Sequence, residues 1–82
     1  MMMRTAAETR VAIVASLSHG PLTVDELASE LEAPPFSMRA FLKDLRRDGL
    51  VEVNSWTQPS AAWRLTPAGD HAAATWAAER LF

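Results

Sequence analysis

The sequence contains no cysteine, and this absence excludes disulfides, thiolate zinc sites and cysteine nucleophiles together. It also has no apolar run long enough to span a bilayer. The N-terminal segment carries an acid at Glu8 and is only modestly hydrophobic, which is not typical of a signal peptide. We therefore expect a soluble protein of the cytoplasm.

A strong excess of charge of either sign is missing as well. Eight basic residues stand against ten acidic ones, for a net charge of −2. Nucleic-acid-binding proteins are often basic overall, so this balance weighs mildly against such a partner, although the distribution of charge matters more than its sum. With 82 residues, 49% of them hydrophobic, we expect a single domain over residues 1–82 with a small core.

A basic helix ended by a glycine is the most informative stretch of the chain. Four apolar residues recur there at spacings of three and four: Met38, Phe41, Leu42 and Leu45. This spacing gathers them on one face of a helix over residues 36–48. Pro35 suits the first helical turn, and Gly49 can take the left-handed conformation that closes a helix.

The opposite face of this helix carries the functional interest. At about 100° per residue, it is centred on four residues: Phe36, Ala40, Lys43 and Arg47. Residues 36–48 hold four of the eight basic residues of the chain against two acids. A basic helix face can enter the major groove of DNA, but the same pattern is typical of a solvated helix whose charges only keep it soluble. The helix alone leaves both interpretations open.

The remaining segments predict three more helices and a hairpin. Two threonines are followed three residues later by a glutamate, which is capping-box spacing and predicts helix starts: Thr5 and Thr23. The first helix is expected to end near residues 19–21, before a short extended connector. Residues 50–53 and 62–65 are strand candidates with turn formers between them. Thr66 and Pro67 are the types expected at the start of a last helix.

No grouping of residues predicts catalysis, a cofactor or a metal site. His19 has no second histidine or acid at ligand spacing, and His71 has no chemical partner in the sequence. The carboxylates of the second helix form an exposed face with no base or nucleophile opposite them. An enzyme is therefore not expected. Trp63 alternates with Arg64 and is expected to face the core, whereas for Trp56 a core role and a binding role stay open.

Three motifs, in this order, resemble those of winged helix-turn-helix domains. Residues 20–28 (GPLTVDELA) resemble the opening of the helix-turn-helix, and residues 37–51 (SMRAFLKDLRRDGLV) resemble the recognition helix with its glycine exit. Residues 63–69 (WRLTPAG) are similar to the segment that ends the wing in many bacterial regulators, MarR-like and PadR-like ones among them. The resemblance implies an α+β fold with a three-helix core, a two-stranded wing and a C-terminal helix.

The resemblance also implies a DNA-binding transcriptional regulator whose third helix enters the major groove. Base-edge and nearby phosphate contacts are implied for four residues: Ser37, Arg39, Ala40 and Lys43. Arg46 and Arg47 come late in the helix, where phosphate contact is expected. Three residues are assigned to the wing, which is expected over residues 54–62: Thr57 and Gln58 at its tip, and Arg64 in the strand that follows. Thr23 would offer a phosphate its hydroxyl and the N–H groups of its helix.

Two features depart from the pattern of DNA-binding winged helices. No lysine or arginine lies between Val53 and Ala62, and Phe36 and Met38 place apolar side chains near the start of the recognition helix. The leading hypothesis is a homodimer that occupies a two-fold operator, with the last helix as the dimer contact and the first helix as a candidate addition to it. The alternative is a winged helix that serves as a protein-interaction or adaptor module without DNA binding.

Overall fold

The computed structural model describes residues 5–55, 58 and 60–80 of the chain, with only the backbone of residue 80. These residues form four helices and a two-stranded sheet. Their order along the chain is α1 (Ala6–Leu17), α2 (Val24–Leu31), α3 (Pro35–Arg47), β1 (Val51–Val53), β2 (Trp63–Leu65) and α4 (Pro67–Arg80). This is the α+β winged helix-turn-helix architecture expected from the sequence. None of the helices in these described ranges is long and apolar enough to cross a membrane.

The core lies where the apolar stripes of α1, α2 and α3 meet. Six of its fully buried side chains come from these three helices: Ile13, Val14, Leu27, Met38, Leu42 and Leu45. Each side chain of this size stabilises the folded state by about 1.5–3 kcal/mol through loss of water-exposed apolar surface. Trp63 is only 3% exposed and packs in the same cluster, so the predicted inward orientation is confirmed.

The wing is an antiparallel hairpin, and both of its strands reach the core, through Val51 of β1 and Trp63 of β2. Three pairs define its register: Val51 with Leu65, Glu52 with Arg64, and Val53 with Trp63. Each strand is one residue shorter than the sequence predicts. The connector between α1 and α2 joins the hairpin, because the N–H of Leu22 donates to the Trp63 carbonyl (3.0 Å) and the N–H of Trp63 donates to the Leu22 carbonyl (2.7 Å).

α3 ends in the way its glycine predicts. Gly49 has φ +79°, and its N–H donates to the carbonyl oxygen of Arg46 at 3.0 Å. The N–H of Leu50 donates to the carbonyl of Leu45 at 3.0 Å, which completes a Schellman closure. The chain therefore turns sharply out of α3 and enters β1 two residues later, which fixes the wing relative to the third helix.

Candidate nucleic-acid interface

α3 turns its apolar stripe inward and its basic face outward. Its exposed side chains include Phe36, Arg39, Ala40, Lys43, Arg46 and Arg47. Asp44 is also exposed, and Ser37 is half-buried on the same flank of the helix. The arc predicted from the sequence is therefore the solvent-facing side of the helix, and it brings four cations within one stretch of about 12 Å.

α1 supplies a partner for the acid that follows this basic face. Asp48 is the C-cap of α3, and its carboxylate Oδ2 accepts a hydrogen bond from Nη2 of Arg10 in an ion pair. A carboxylate next to Arg46 and Arg47 would repel the phosphates of DNA. The Arg10 guanidinium offsets that negative charge, so the C-terminal end of α3 stays cationic.

Sequence reasoning missed this role of Arg10. The two partners are 38 residues apart, and no spacing rule connects them. A signal was nevertheless present, because Arg10 lies one turn before Ile13 and Val14 on the packed side of α1. A charged residue in that position has to find a partner or reach past the core to solvent.

α3 begins without a negative group over its N-terminus. The structure describes all of its first turn, where Pro34 is the N-cap without a side-chain hydrogen bond and no acid is present. No acidic side chain of this turn therefore offsets the positive end of the helix dipole. The N–H of Ser37 is partly used, since it donates to the carbonyl of Pro34 at 3.1 Å.

Thr23 lies at the start of α2 as expected, but its capping groups already have partners. Its hydroxyl oxygen accepts from the N–H of Glu26 at 3.1 Å, and its own N–H donates to Oε1 of Glu26 at 2.9 Å. This complete capping box brings the Glu26 carboxylate to the helix N-terminus. The hydroxyl proton of Thr23 is the group that stays available to a phosphate.

On the wing, Arg64 is held by its neighbours. Its Nε donates to Oε1 of Glu52 at 2.9 Å, and its Nη2 donates to Oδ1 of Asn54 at 3.0 Å. Gln58 is exposed, with its N–H donating to the Ser55 carbonyl at 3.2 Å. Thr57 and Trp56, both named in the sequence analysis, lie outside the described residues.

The start of α4 ties the wing to the exit of α3. The N–H of Thr66 donates to the carbonyl of Leu50 at 3.0 Å, and its hydroxyl donates to the carbonyl of Gly49 at 2.5 Å. The same hydroxyl accepts from the N–H of Gly69 at 3.0 Å, which caps α4. Thr66 thus joins the motif at residues 63–69 to the end of the motif at residues 37–51, and so ties the second strand of the wing to the exit of α3.

The described residues contain no group of three or more histidine, aspartate or glutamate side chains arranged to hold a metal ion. What they do contain is a helix with four basic side chains on its outer face and a hairpin that follows it directly. This combination defines a winged helix-turn-helix domain of the kind found in DNA-binding transcriptional regulators.

Comparison with known families gives the chain its place among these regulators. Residues 7–53, more than half of the chain, match the family described as bacterial regulatory protein, arsR family. The chain belongs to this family. The family and the fold are regulatory rather than enzymatic. No curated protein sequence matches the chain.

Solved structures share the fold. A double mutant of ZitR from Lactococcus lactis in its apo form superposes with a TM-score of 0.79 at 22% identity, covering 92% of this chain and 58% of that one. Reduced HlyU from Vibrio cholerae gives 0.74 at 29% identity, covering 92% and 77%. A MarR family protein of Mycobacterium tuberculosis gives 0.73 at 28% identity, covering 85% and 50%.

These similarities bear on both hypotheses drawn from the sequence. The resemblance drawn from the motifs is confirmed at the level of winged helix-turn-helix regulators, and the family match adds the arsR family to the MarR-like and PadR-like groups named from the sequence. None of these matches supports the adaptor alternative. The chain spans only 49–58% of the length of the three ZitR structures.

Proposed function

We propose that this domain binds operator DNA with sequence specificity and regulates transcription by occupying it. The observation that carries the proposal is the outer face of α3, which holds four exposed basic side chains against the one exposed acid Asp44, while Arg10 pairs with Asp48 at its end. Such a face lies in the major groove in helix-turn-helix proteins, with the N-terminal part of the helix on the base edges.

The side chains of α3 divide by position. Arg39 and Lys43 are long enough to reach guanine acceptors, while Ala40 between them is small and lets the helix approach the bases. Ser37 offers a hydroxyl at the flank. Arg46 and Arg47, in the last turn, are suited to phosphate contacts that add affinity without adding sequence preference.

The wing contributes beside the groove. Because the guanidinium of Arg64 donates to Glu52 and Asn54, we assign Arg64 the role of stiffening the hairpin. Its contribution to DNA contact is expected to be smaller than that of the basic residues on α3. Thr57 and Gln58, within the wing at residues 54–62, are proposed to contact the DNA backbone or the minor groove. The hydroxyl of Thr23, at the start of α2, is proposed to contact a phosphate.

The proposed assembly is a homodimer whose interface is formed mainly by α4, with a contribution from α1. It would bind DNA in the cytoplasm. Residues of both helices line an open cleft of about 560 Å³, among them Ala7, Val11 and half-buried Trp76. A two-fold dimer would place two copies of α3 one turn of DNA apart, about 34–36 Å. An operator with inverted half-sites follows from that symmetry.

The test is a selection from random duplex DNA at low and at moderate salt, with light scattering on the same sample. The proposal predicts enrichment of an inverted repeat by a particle of twice the chain mass, with affinity that falls steeply as salt rises. Ser29→Ala, a change at an exposed position of α2 that is not among the proposed DNA contacts, serves as the matched control and is expected to select the same sequence. Absence of any bound DNA at low salt would contradict the proposal and favour the protein-interaction alternative.

A further inference from the structure

Phe36 stands out among the described residues as the large hydrophobic side chain left in solvent. It is 76% exposed, while Met38, two residues later, is 1% exposed. The core therefore does not use Phe36. Its place in the sequence, second in α3, is also not one where a helix needs an aromatic ring.

Phe36 shares its side of α3 with groups proposed to face DNA. At about 100° per residue, Ala40, Lys43 and Arg47 follow it along one line of the exposed helix surface. Phe36 is the most N-terminal of the four, and the N-terminal residues of a recognition helix are those that contact base edges. Any insertion of α3 into the major groove thus brings this ring to the bases.

The chemistry of the ring limits what it can recognise there. Phenylalanine has no hydrogen-bond donor for a phosphate and no partner for the polar edges of guanine, cytosine or adenine. Thymine alone presents an apolar group in the major groove, its 5-methyl, and apolar side chains contact that methyl. Covering the ring and the methyl together removes apolar surface of both from water.

We propose that Phe36 packs on the 5-methyl group of one thymine in each half-site and so selects thymine at that position. This inference rests on the proposed function, since it requires α3 in the major groove. It goes beyond it by naming the base and the group on the base. It also gives Phe36, whose apolar side chain departs from the usual pattern of DNA-binding winged helices, a role in determining specificity.

The experiment replaces thymines of the selected operator one at a time with deoxyuridine, which lacks only the methyl group. For the parent protein, one position in each half-site should lose affinity by about fourfold when its methyl is removed, and the two together by about fifteenfold. Other thymines should show no such loss. For Phe36→Ala the difference between thymine and uracil at that position should vanish, whereas Phe36→Leu should keep part of it.

Two controls separate this effect from general weakening. Arg46→Ala is expected to lower affinity for the thymine and uracil operators alike, so the ratio of the two stays that of the parent. Circular dichroism melting checks that Phe36→Ala folds, which its exposure predicts. Because Phe36→Leu offers a second measurement, a fold defect in one variant does not decide the outcome.

The possible results are distinct. Salt-sensitive binding of an operator in which no thymine methyl matters, or in which Phe36→Ala keeps the parent's thymine-to-uracil ratio, overturns the inference and leaves the proposed function standing. If no duplex DNA is bound at low salt, both proposals fail together, and the exposed ring is then a candidate contact for a protein. Loss of methyl sensitivity in Phe36→Ala alone supports the inference.

Discussion

Gly69 packs against the carbonyl oxygen of Leu50 so closely that a Cβ at position 69 would lie 2.0 Å from that oxygen. A hydrogen atom is therefore the largest substituent that this contact accepts. The contact joins the first turn of α4 to the residue between α3 and β1. It explains physically why a glycine follows Thr66 by three residues in a segment that ends the wing.

Gly69→Ala is expected to lower the free energy of unfolding by about 1–3 kcal/mol, because the clash is with backbone rather than with a flexible side chain. Urea denaturation measures the change. Thr75→Ala, at an exposed position of the same helix, is the control and should stay within about 0.5 kcal/mol of the parent. Equal stability of Gly69→Ala and the parent would show that the first turn of α4 does not pack as described.

Replacing Arg10 with glutamine should weaken DNA binding more than it weakens the fold. The ion pair with Asp48 is about half-exposed, so its loss costs about 0–1 kcal/mol of stability. The released carboxylate of Asp48 then faces the phosphates, and affinity should fall several-fold at low salt and less at high salt.

The control for this prediction is a double-mutant cycle. In an Asp48→Asn background, Arg10→Gln should cost little affinity, because no carboxylate is left to release. If Arg10→Gln is equally harmful with and without Asp48, then Arg10 acts on DNA through its own charge and not through the ion pair. Fluorescence anisotropy with labelled operator gives all four affinities.

The basic residues of α3 should separate into two groups when each is replaced by alanine. Arg39→Ala or Lys43→Ala is expected to cost roughly 1–3 kcal/mol on the selected operator and to relax the preference at one base pair. Arg46→Ala or Arg47→Ala should weaken all sequences about equally and reduce the salt slope by about one. Operator and scrambled DNA, titrated at several salt concentrations, distinguish the groups; tight operator binding by the Arg39 and Lys43 variants would refute this placement of α3.

Thr23 allows its capping role to be separated from a phosphate contact. Thr23→Ala removes the cap of α2 and is expected to lower the free energy of unfolding by about 1 kcal/mol. Thr23→Asp keeps a good cap and should restore the stability, but its charge should repel a phosphate and weaken DNA binding. Thermal melts and anisotropy titrations measure the two effects. Parent-like affinity of Thr23→Asp would remove Thr23 from the DNA contacts.

The sequence by itself determined the elements of this protein and their order. The spacing of Met38, Leu42 and Leu45 predicted α3 and distinguished its buried face from its exposed face. Gly49 predicted where the helix ends. Caps, turns and amphipathic periods depend on residues within a few positions of one another, so local rules suffice to locate them. The order of the elements was then enough to suggest the winged helix, which the structure and the arsR family match confirm.

Only the tertiary structure decided which distant groups meet. Arg10 reaches Asp48 across 38 residues, Gly69 packs against the Leu50 carbonyl, and Leu22 pairs with Trp63. It also showed that the guanidinium of Arg64 is held within the wing, where the sequence offered it to DNA. Such partners are set by how helices and strands pack around a shared core, and packing depends on the whole chain rather than on any short stretch of it.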